Sequence, residues 1–214
     1  MNMFFRQNQE EDSELILSDE DTYTTSPKEE NGIIEVIRFS IIALLIVIPV
    51  RMFIAQPFIV SGASMAETFH TGEYLIVDQV SYYLHDPSRG DVIIFRYPKD
   101  PSKYFIKRVI GLPGDTVIVE EGRVMIKNEA NLEGFYLDEP YVLSMQTPQR
   151  VEQALGDREY FVMGDNRNES SDSRTWGVLQ KERIVGRAFL RLFPPTVVDV
   201  LPGAITESEI KDIN

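Results

Sequence analysis

Hydrophobic positions follow two patterns along this chain, one continuous and one alternating. The stretch GIIEVIRFSIIALLIVIPVRMFIAQPF contains an almost wholly apolar run from Phe39 to Val50. Taken as Ile33 to Ala55, it reaches the roughly 20 residues that a helix needs to cross a bilayer, and Glu35, Arg38 and Arg51 lie near enough to its ends to reach the interface. The continuous pattern therefore predicts one membrane anchor.

Two other interpretations of this segment are open, a buried helix of a soluble domain and the apolar part of a cleaved signal peptide. A cleaved signal is disfavoured because an acidic tail precedes the run where a basic segment is expected, and because no small-residue cleavage site follows before Gln56-Pro57. The flanking basic residues, Lys28 and Arg38 on one side and Arg51 on the other, do not decide an orientation.

Beyond Pro57 the apolar positions form short runs, rich in β-branched and aromatic residues and separated by Gly, Asp and Pro. This pattern is typical of strands joined by turns, and the run TVIVEEGRVMIKN predicts a hairpin with its turn at Glu121-Gly122. The runs are YLIVDQV, DVIIFRY, YFIKRVIGL, TVIVEEGRVMIKN, EYFVMGD and RIVGRAFLRLF. We therefore predict a strand-rich domain.

The two patterns divide the chain into four segments. We predict a disordered acidic tail over residues 1–31, a transmembrane anchor over 32–56, a β-rich domain over 57–200 and a polar C-terminal tail over 201–214. A length of 214 residues suits one ordinary domain with terminal appendages. The net charge of −13 and the lack of a basic patch argue against a nucleic-acid partner.

Composition also limits the chemistry. The chain has no cysteine, and its histidines are His70 and His85. The lack of cysteine excludes thiolate nucleophiles and zinc-thiolate sites. With two histidines, a Ser-His-Asp triad and a multi-histidine metal site are poorly supplied. A serine remains: in IVSGASMAETFH, Ser64 stands in a small Gly-bearing turn, but its hydroxyl is a poor nucleophile unless a base lies beside it.

A lysine kept neutral by burial can serve as that base. Lys107, in KYFIKRVIGLPGD, stands inside an apolar strand-like run, whereas the other lysines beyond the anchor have polar or turn-like neighbours. Its pKa would have to fall from about 10.4 by roughly 2.5 to 3 units. The alternative, that Lys107 lies on the solvent face of an alternating strand, stays open; Arg108 faces the opposite side in either case.

A third segment, MGDNRNESSDSRTWG, combines acids, arginines and serines after an apolar run. It fits a hydrophilic surface loop with internally paired charges. It also fits a supporting role, in which Ser170 holds the amine of Lys107 by a hydrogen bond while Asp172 and Arg174 rigidify the surroundings.

Four blocks, SGASM, GDVIIFRYP, FIKRVIGLPGD and GDNRNESSDSRTWG, occur in an order that resembles the type I signal peptidase family. With the preceding anchor and Pro57-Phe58, the resemblance covers about residues 33 to 195. It implies a membrane-bound Ser/Lys endopeptidase that removes signal peptides. The implied fold is mainly β, an antiparallel β catalytic domain of the signal peptidase and self-cleaving repressor type, preceded by one transmembrane helix.

The resemblance also implies residue roles. Ser64 would be the nucleophile, Lys107 the general base and Ser170 the group that positions the lysine. Supporting residues would be Gly62, Asp165, Arg108, Asp172 and Arg174. Substrate-binding residues would be Phe58, Ile59, Val60, Met65, Phe105 and Ile106.

Partners and location follow from the same resemblance. The substrates would be signal peptides of secreted preproteins, cut after small-x-small sites and bound as an extra strand near Ile59-Val60. No metal or organic cofactor is required. A monomer is expected, anchored in the cytoplasmic membrane with its catalytic domain on the extracytoplasmic side.

Two positions depart from the family pattern. Glu67 replaces a proline that is common three residues after the nucleophile, which removes a rigid turn residue and adds a negative charge that would favour protonated Lys107 if it lay close. Gly62 stands where some members carry a hydroxyl, so backbone N–H groups, chiefly that of Ser64, are left as oxyanion donors.

Other protein classes fit less well. A self-cleaving repressor would carry an N-terminal DNA-binding module where this chain has an acidic tail and an apolar segment. A membrane-anchored peptide-binding homologue that has lost catalysis is the main alternative, with Glu67 as its support. The SxxK pattern of penicillin-binding enzymes occurs at Ser208 to Lys211, but in a polar tail without a core to bury the lysine.

Overall fold

The structure is a computed structural model that describes residues 32–49, 55–144 and 150–205. The predicted acidic tail at 1–31 and the SxxK pattern at Ser208 lie outside the described residues. Helix α1 spans Gly32–Pro49, and its 18 residues are long and apolar enough to cross a membrane. None of its side chains is buried, which disfavours the core helix of a soluble domain.

Twelve strands and two short α-helices follow α1 in the described part of the chain. The helices are α2 (Ser81–Leu84) and α3 (Ser173–Trp176). The strands are β1 (Ala55–Ile59), β2 (Tyr74–Asp78), β3 (Val92–Tyr97), β4 (Asp100–Gly111), β5 (Thr116–Glu120), β6 (Arg123–Asn128), β7 (Asn131–Tyr136), β8 (Val151–Ala154), β9 (Glu159–Met163), β10 (Leu179–Gln180), β11 (Ile184–Phe193) and β12 (Asp199–Val200).

The strands form two antiparallel sheets. The larger has the order β1-β2-β11-β3-β4-β9-β10, with β12 beside β11, and the smaller has the order β7-β6-β5-β8. The predicted mainly β fold is therefore confirmed. The predicted hairpin is also present, because Glu120 pairs with Arg123 across Glu121 and Gly122, which adopt the positive φ angles of 49° and 77° that a tight hairpin turn requires.

Apolar side chains cover both faces of the larger sheet around β3. Val92 and Ile94 pack on one face with residues of β2 and of the turn that follows β1, whereas Ile93 and Phe95 pack on the other face with residues of β4 and β9. This double burial explains why β3 is a continuous apolar run without alternation. It also means that a side chain on either face of the neighbouring strand β4 can be buried.

Five strands were not predicted from the sequence, namely β1, β7, β8 and the two-residue strands β10 and β12. β1 begins at Ala55, inside the range expected for the anchor, and contains Pro57. β7 contains Gly134 and several polar residues, and β8 is partly exposed. Four of these strands lie at the end of a sheet and β12 pairs only with β11, so each has one neighbour and a weak apolar pattern.

We expect Gly186→Ala to destabilise the larger sheet. A Cβ at Gly186 would lie 2.2 Å from the Asp78 carbonyl oxygen, a backbone atom of the paired strand β2 that has no room to move. Such overpacking costs about 1 to 3 kcal/mol, which lowers the melting temperature of the detergent-solubilised full chain by a few degrees or more.

Gly156→Ala is the matched control, because the nearest atom to its Cβ is 3.4 Å away on the flexible Glu159 side chain. Its melting temperature should stay close to that of the native chain. Equal melting temperatures for the two variants would contradict the expectation.

Candidate active site

Ser64 lies in a tight turn that follows β1. Within this turn the Thr68 and Phe69 N–H groups both donate to the Met65 carbonyl, at 2.8 and 2.6 Å. Met65 and Phe69 are fully buried and pack in the core with side chains of β2 and β3. Burial of these two side chains fixes the turn without the proline that the family pattern has at Glu67.

Two polar contacts tie the same turn to the rest of the domain. Thr68 Oγ1 donates to Asp165 Oδ2 at 2.5 Å, and Arg191 Nη1 on β11 donates to the Thr68 carbonyl at 2.9 Å. Asp165 in turn accepts from Arg108 on β4, with Nε–Oδ1 and Nη2–Oδ2 distances of 2.8 and 2.6 Å. The nucleophile turn, β4 and the loop after β9 are therefore held by one buried carboxylate.

Lys107 points toward Ser64 from the face of β4 opposite to that of Arg108. Its Nζ lies 2.6 Å from Ser64 Oγ and donates to the Ile106 carbonyl at 2.8 Å. Lys107 is only 3% exposed, so the alternative that it lies on a solvent face is wrong. The hydroxyl and the amine are close enough for direct proton transfer.

Burial lowers the pKa of Lys107 from its usual value near 10.5 to about 8, while the charges of Asp172 and Asp165 act in the opposite direction. A substantial fraction of the amine is therefore neutral near pH 8. Glu67 is exposed and is not among the carboxylates that raise this pKa. Glu67 therefore gives no support to the alternative of a homologue that has lost catalysis.

Asp172 and Arg174 form a rigid pair in the loop between β9 and β10. Arg174 donates to both carboxylate oxygens of Asp172 at 2.8 Å, and Asp172 also accepts from the Gly164 and Arg174 N–H groups. Arg174 Nη2 donates further to the Arg167 carbonyl at 2.6 Å. These contacts fix the loop beside Lys107.

Asn166 joins this loop to the nucleophile turn, a role that the sequence analysis missed. Its backbone N–H donates to the Ser64 carbonyl at 3.0 Å, and its Nδ2 donates to the Ala63 carbonyl at 3.1 Å. No local sequence signal distinguishes Asn166 from the other polar residues of the loop. Its importance comes only from the approach of two segments that are about 100 residues apart in sequence.

Ser170 lies in this loop, but it does not bond to Lys107 in the structure. Its Oγ is buried and has no hydrogen-bond partner among the described residues. The space around it is tight, because a Cβ at Gly164 would come within 2.4 Å of both Ser170 Oγ and the Ser64 carbonyl oxygen. The positioning role of Ser170 therefore stays a prediction.

The backbone N–H of Ser64 is available to receive an oxyanion, since no acceptor for it is found in the described parts of the chain. The Gly62 N–H is already used, because it donates to Thr71 Oγ1 at 3.1 Å. Gly62 has a φ of +104°, a conformation that residues with a Cβ rarely adopt. Glycine at this position shapes the backbone just before the nucleophile.

A cleft of about 470 Å³ opens over Ser64 and Lys107. The predicted substrate residues Phe58, Ile59, Val60, Phe105 and Ile106 all line it. Met65 does not: it is 1% exposed, because the turn directs it into the core, where its Sδ accepts from the Asp165 N–H at 3.4 Å. Residues that the sequence analysis did not single out also line the cleft, namely Ser61, Ala63, Leu75, Ile94, Lys103, Tyr104, Glu169 and Ser171.

Comparison with known proteins gives relatives over most of the chain. A sequence profile described as signal peptidase, peptidase S26, matches residues 33–193. A probable signal peptidase I-2 from Synechocystis sp. is 36% identical over 187 residues, covering 83% of each chain. The probable signal peptidase I-1 of the same organism is 39% identical over 160 residues, covering 72% of this chain and 79% of the relative.

Among solved structures, a signal peptidase I from Enterococcus faecalis V583 matches with 28% identity and a TM-score of 0.41. The match covers 48% of this chain and 97% of that one.

We expect the amine of Lys107 to titrate near pH 8 when it is followed by NMR in the full chain labelled with ¹³C-lysine. Asp172→Asn removes a carboxylate that raises this pKa, so the midpoint should move to lower pH.

Glu67→Gln is the control for the titration. It removes a nearby carboxylate that has no part in the pKa of Lys107, so the midpoint should not move. A native midpoint near 10.5, or equal shifts in both variants, would contradict this account of the site.

Proposed function

The chain belongs to the signal peptidase family, peptidase S26, and we propose that it is a membrane-anchored serine endopeptidase that removes signal peptides from exported preproteins. The single observation that carries the mechanism is the 2.6 Å approach of Lys107 Nζ to Ser64 Oγ inside a cleft. Burial lowers the pKa of this lysine to about 8, which makes the neutral amine accessible near physiological pH.

Acylation begins when neutral Lys107 takes the hydroxyl proton of Ser64 as its Oγ attacks the carbonyl carbon of the scissile peptide bond. The Ser64 N–H stabilises the resulting oxyanion. The C–N bond then breaks, and the protonated lysine gives its proton to the leaving amine. The new N-terminus of the mature protein departs, and the signal peptide stays attached to Ser64 as an ester.

Deacylation uses the same base. Lys107 is neutral again after the first step, and it takes a proton from a water molecule that attacks the ester carbonyl. The bond to Ser64 Oγ then breaks, and the lysine returns the proton to that oxygen. This sequence releases the signal peptide with a free carboxylate and restores the resting dyad.

The edge position of β1 supports binding of the substrate as an extra strand. In the larger sheet β1 pairs on one side with β2, and its residues Phe58 and Ile59 line the cleft. Main-chain hydrogen bonds along such an edge align a peptide without reading its side chains. Alternate side chains of the bound strand point the same way, so the cleft would select small residues at alternate positions, as in a small-x-small site.

Membrane topology and domain organisation are part of the same proposal. α1 (Gly32–Pro49) supports a bilayer partner and a membrane anchor that follows the acidic tail at 1–31. The peptidase domain begins with β1 at Ala55, earlier than the expected residue 57. It also extends beyond residue 200 into the segment expected to be a polar tail, because the Gly203 carbonyl accepts from the buried Arg108 and Ile205 packs against the core. We place the anchor in the cytoplasmic membrane and the peptidase domain on its extracytoplasmic side, where exported preproteins emerge. The expected monomer stays part of the proposal, and it is supported by the fact that one protomer supplies both members of the dyad.

We expect Ser64→Ala and Lys107→Met to reduce cleavage of a preprotein with a small-x-small site by at least about 10³-fold, because each removes a group that takes part in every bond-making step. The measurement uses the full chain in detergent. Lys99→Ala, which changes an exposed lysine in a turn, should cleave at the native rate. Substantial cleavage by folded Lys107→Met would contradict the proposed dyad.

The pH dependence follows from the state of Lys107. Below its pKa of about 8 the amine is protonated and cannot accept the Ser64 proton, so kcat/KM should fall about tenfold for each pH unit. Above this pH the rate should reach a plateau. A rate that is flat or falls between about pH 7 and 9 would argue against lysine as the base.

A further inference from the structure

Glu169 lines the cleft that contains Ser64 and Lys107. Its position is fixed through the backbone, since the Glu169 N–H donates to the Asn166 carbonyl at 3.2 Å and the Asn166 N–H donates to the Ser64 carbonyl at 3.0 Å. Only two hydrogen bonds therefore separate the Glu169 backbone from the nucleophile. The side chain itself is exposed and accessible to a bound peptide.

Neighbouring arginines do not neutralise Glu169, because each has another carboxylate. Arg167 pairs with Glu139, and Arg174 pairs with Asp172 at 2.8 Å. Within the described ranges Glu169 has no ion-pair partner. An arriving substrate therefore meets its negative charge uncompensated.

The other charged residues that line the cleft do not offset Glu169. Lys107 must be neutral to act as the base. Lys103 is cationic, but its Nζ lies 3.1 Å from Asp100 Oδ2, so the two charges of this exposed pair sum to zero within β4. With Lys107 neutral, Lys103, Asp100 and Glu169 together carry one negative charge.

We propose that Glu169 is a specificity-determining residue that favours a basic side chain, and disfavours an acidic one, at a substrate position close to the scissile bond. This inference rests on the proposed function. It adds a preference based on charge to the selection of small side chains by the apolar walls. The preference comes from Glu169 alone and not from the net charge of the chain.

The expected size of the effect follows from the exposure of the carboxylate. Interactions between exposed charges are worth up to about fivefold in an equilibrium. Attraction for lysine and repulsion for glutamate add, so kcat/KM for the two should differ by about tenfold at low salt. Exposed charges are screened by ions, so about 0.5 M salt should remove most of the difference.

The experiment uses the full chain in detergent and synthetic peptides with a small-x-small site. The peptides carry Lys, Ala or Glu at one position at a time on either side of the scissile bond, and kcat/KM is measured for each. The native chain should show a Lys-to-Glu ratio of about ten at one or two adjacent positions. In Glu169→Gln this ratio should fall to about two or less.

Glu67→Gln is the matched control, because Glu67 is an exposed carboxylate in the nucleophile turn that does not line the cleft. It should retain the native ratio. The pH midpoint of the rate should be the same in Glu169→Gln as in the native chain, since the carboxylates that raise the pKa of Lys107 are Asp172 and Asp165. A shifted midpoint would indicate an effect on the base and would overturn the proposed role in specificity.

A Lys-to-Glu ratio that is equal in the native chain and Glu169→Gln would also overturn the proposal, as would an equal fall in Glu67→Gln. The Ala peptides separate these outcomes from the proposed function. If the native chain cuts them and Ser64→Ala does not, the peptidase assignment stands whatever the ratios show. If the native chain cuts none of the peptides, both the peptidase assignment and the role of Glu169 fail.

Discussion

The buried ion pair between Arg108 and Asp165 holds together the three segments that make the active site. Arg108 belongs to β4, Asp165 to the loop after β9, and the same carboxylate accepts from Thr68 in the nucleophile turn. Arg108 also donates to the carbonyls of Gly90 and Gly203. Removing one partner of such a pair leaves an uncompensated buried charge, which typically costs 3 to 5 kcal/mol. The geometry of Ser64 and Lys107 depends on this pair, although the Lys107 amine hydrogen-bonds to Ser64 and to the Ile106 carbonyl and not to the pair.

Lys107 is also buried, but unlike Arg108 it has no carboxylate partner among the described residues to stabilise its charged form. Arg108, next to it in sequence, has a bidentate carboxylate, whereas Lys107 contacts a hydroxyl and a carbonyl and has no carboxylate within hydrogen-bond distance in the described structure. Lowering its pKa from 10.5 to about 8 corresponds to about 3 kcal/mol of disfavoured charge. Tight packing of both faces of the larger sheet supplies this energy. The alternation of β4 thus separates a structural cation from a chemical base.

Three carboxylates around the site each pair with an arginine and not with Lys107. Asp165, Asp172 and Glu139 each have their own arginine, which fixes the loop without leaving a cation beside the amine of Lys107. Asp172 and Asp165 still raise the pKa of Lys107 against the effect of burial, so the base is tuned by distance as well as by desolvation. Glu169 stands outside this pairing and faces the cleft, where its charge acts on what binds.

The sequence by itself determined the anchor helix, the strand-rich domain, the hairpin at Glu121-Gly122 and, through the lack of cysteine and the shortage of histidine, the choice of Ser64 with a lysine base. These features follow from local periodicity and from which side chains are available. Only the tertiary structure decided that the Lys107 face of β4 is buried, because alternation separates two faces without saying which is covered. Other features likewise depend on segments far apart in sequence, whose packing no local pattern encodes. They are the strands β1, β7, β8, β10 and β12, the inward direction of Met65, the contact of Asn166 with the nucleophile turn, and the burial of Ser170 Oγ without a hydrogen-bond partner among the described residues.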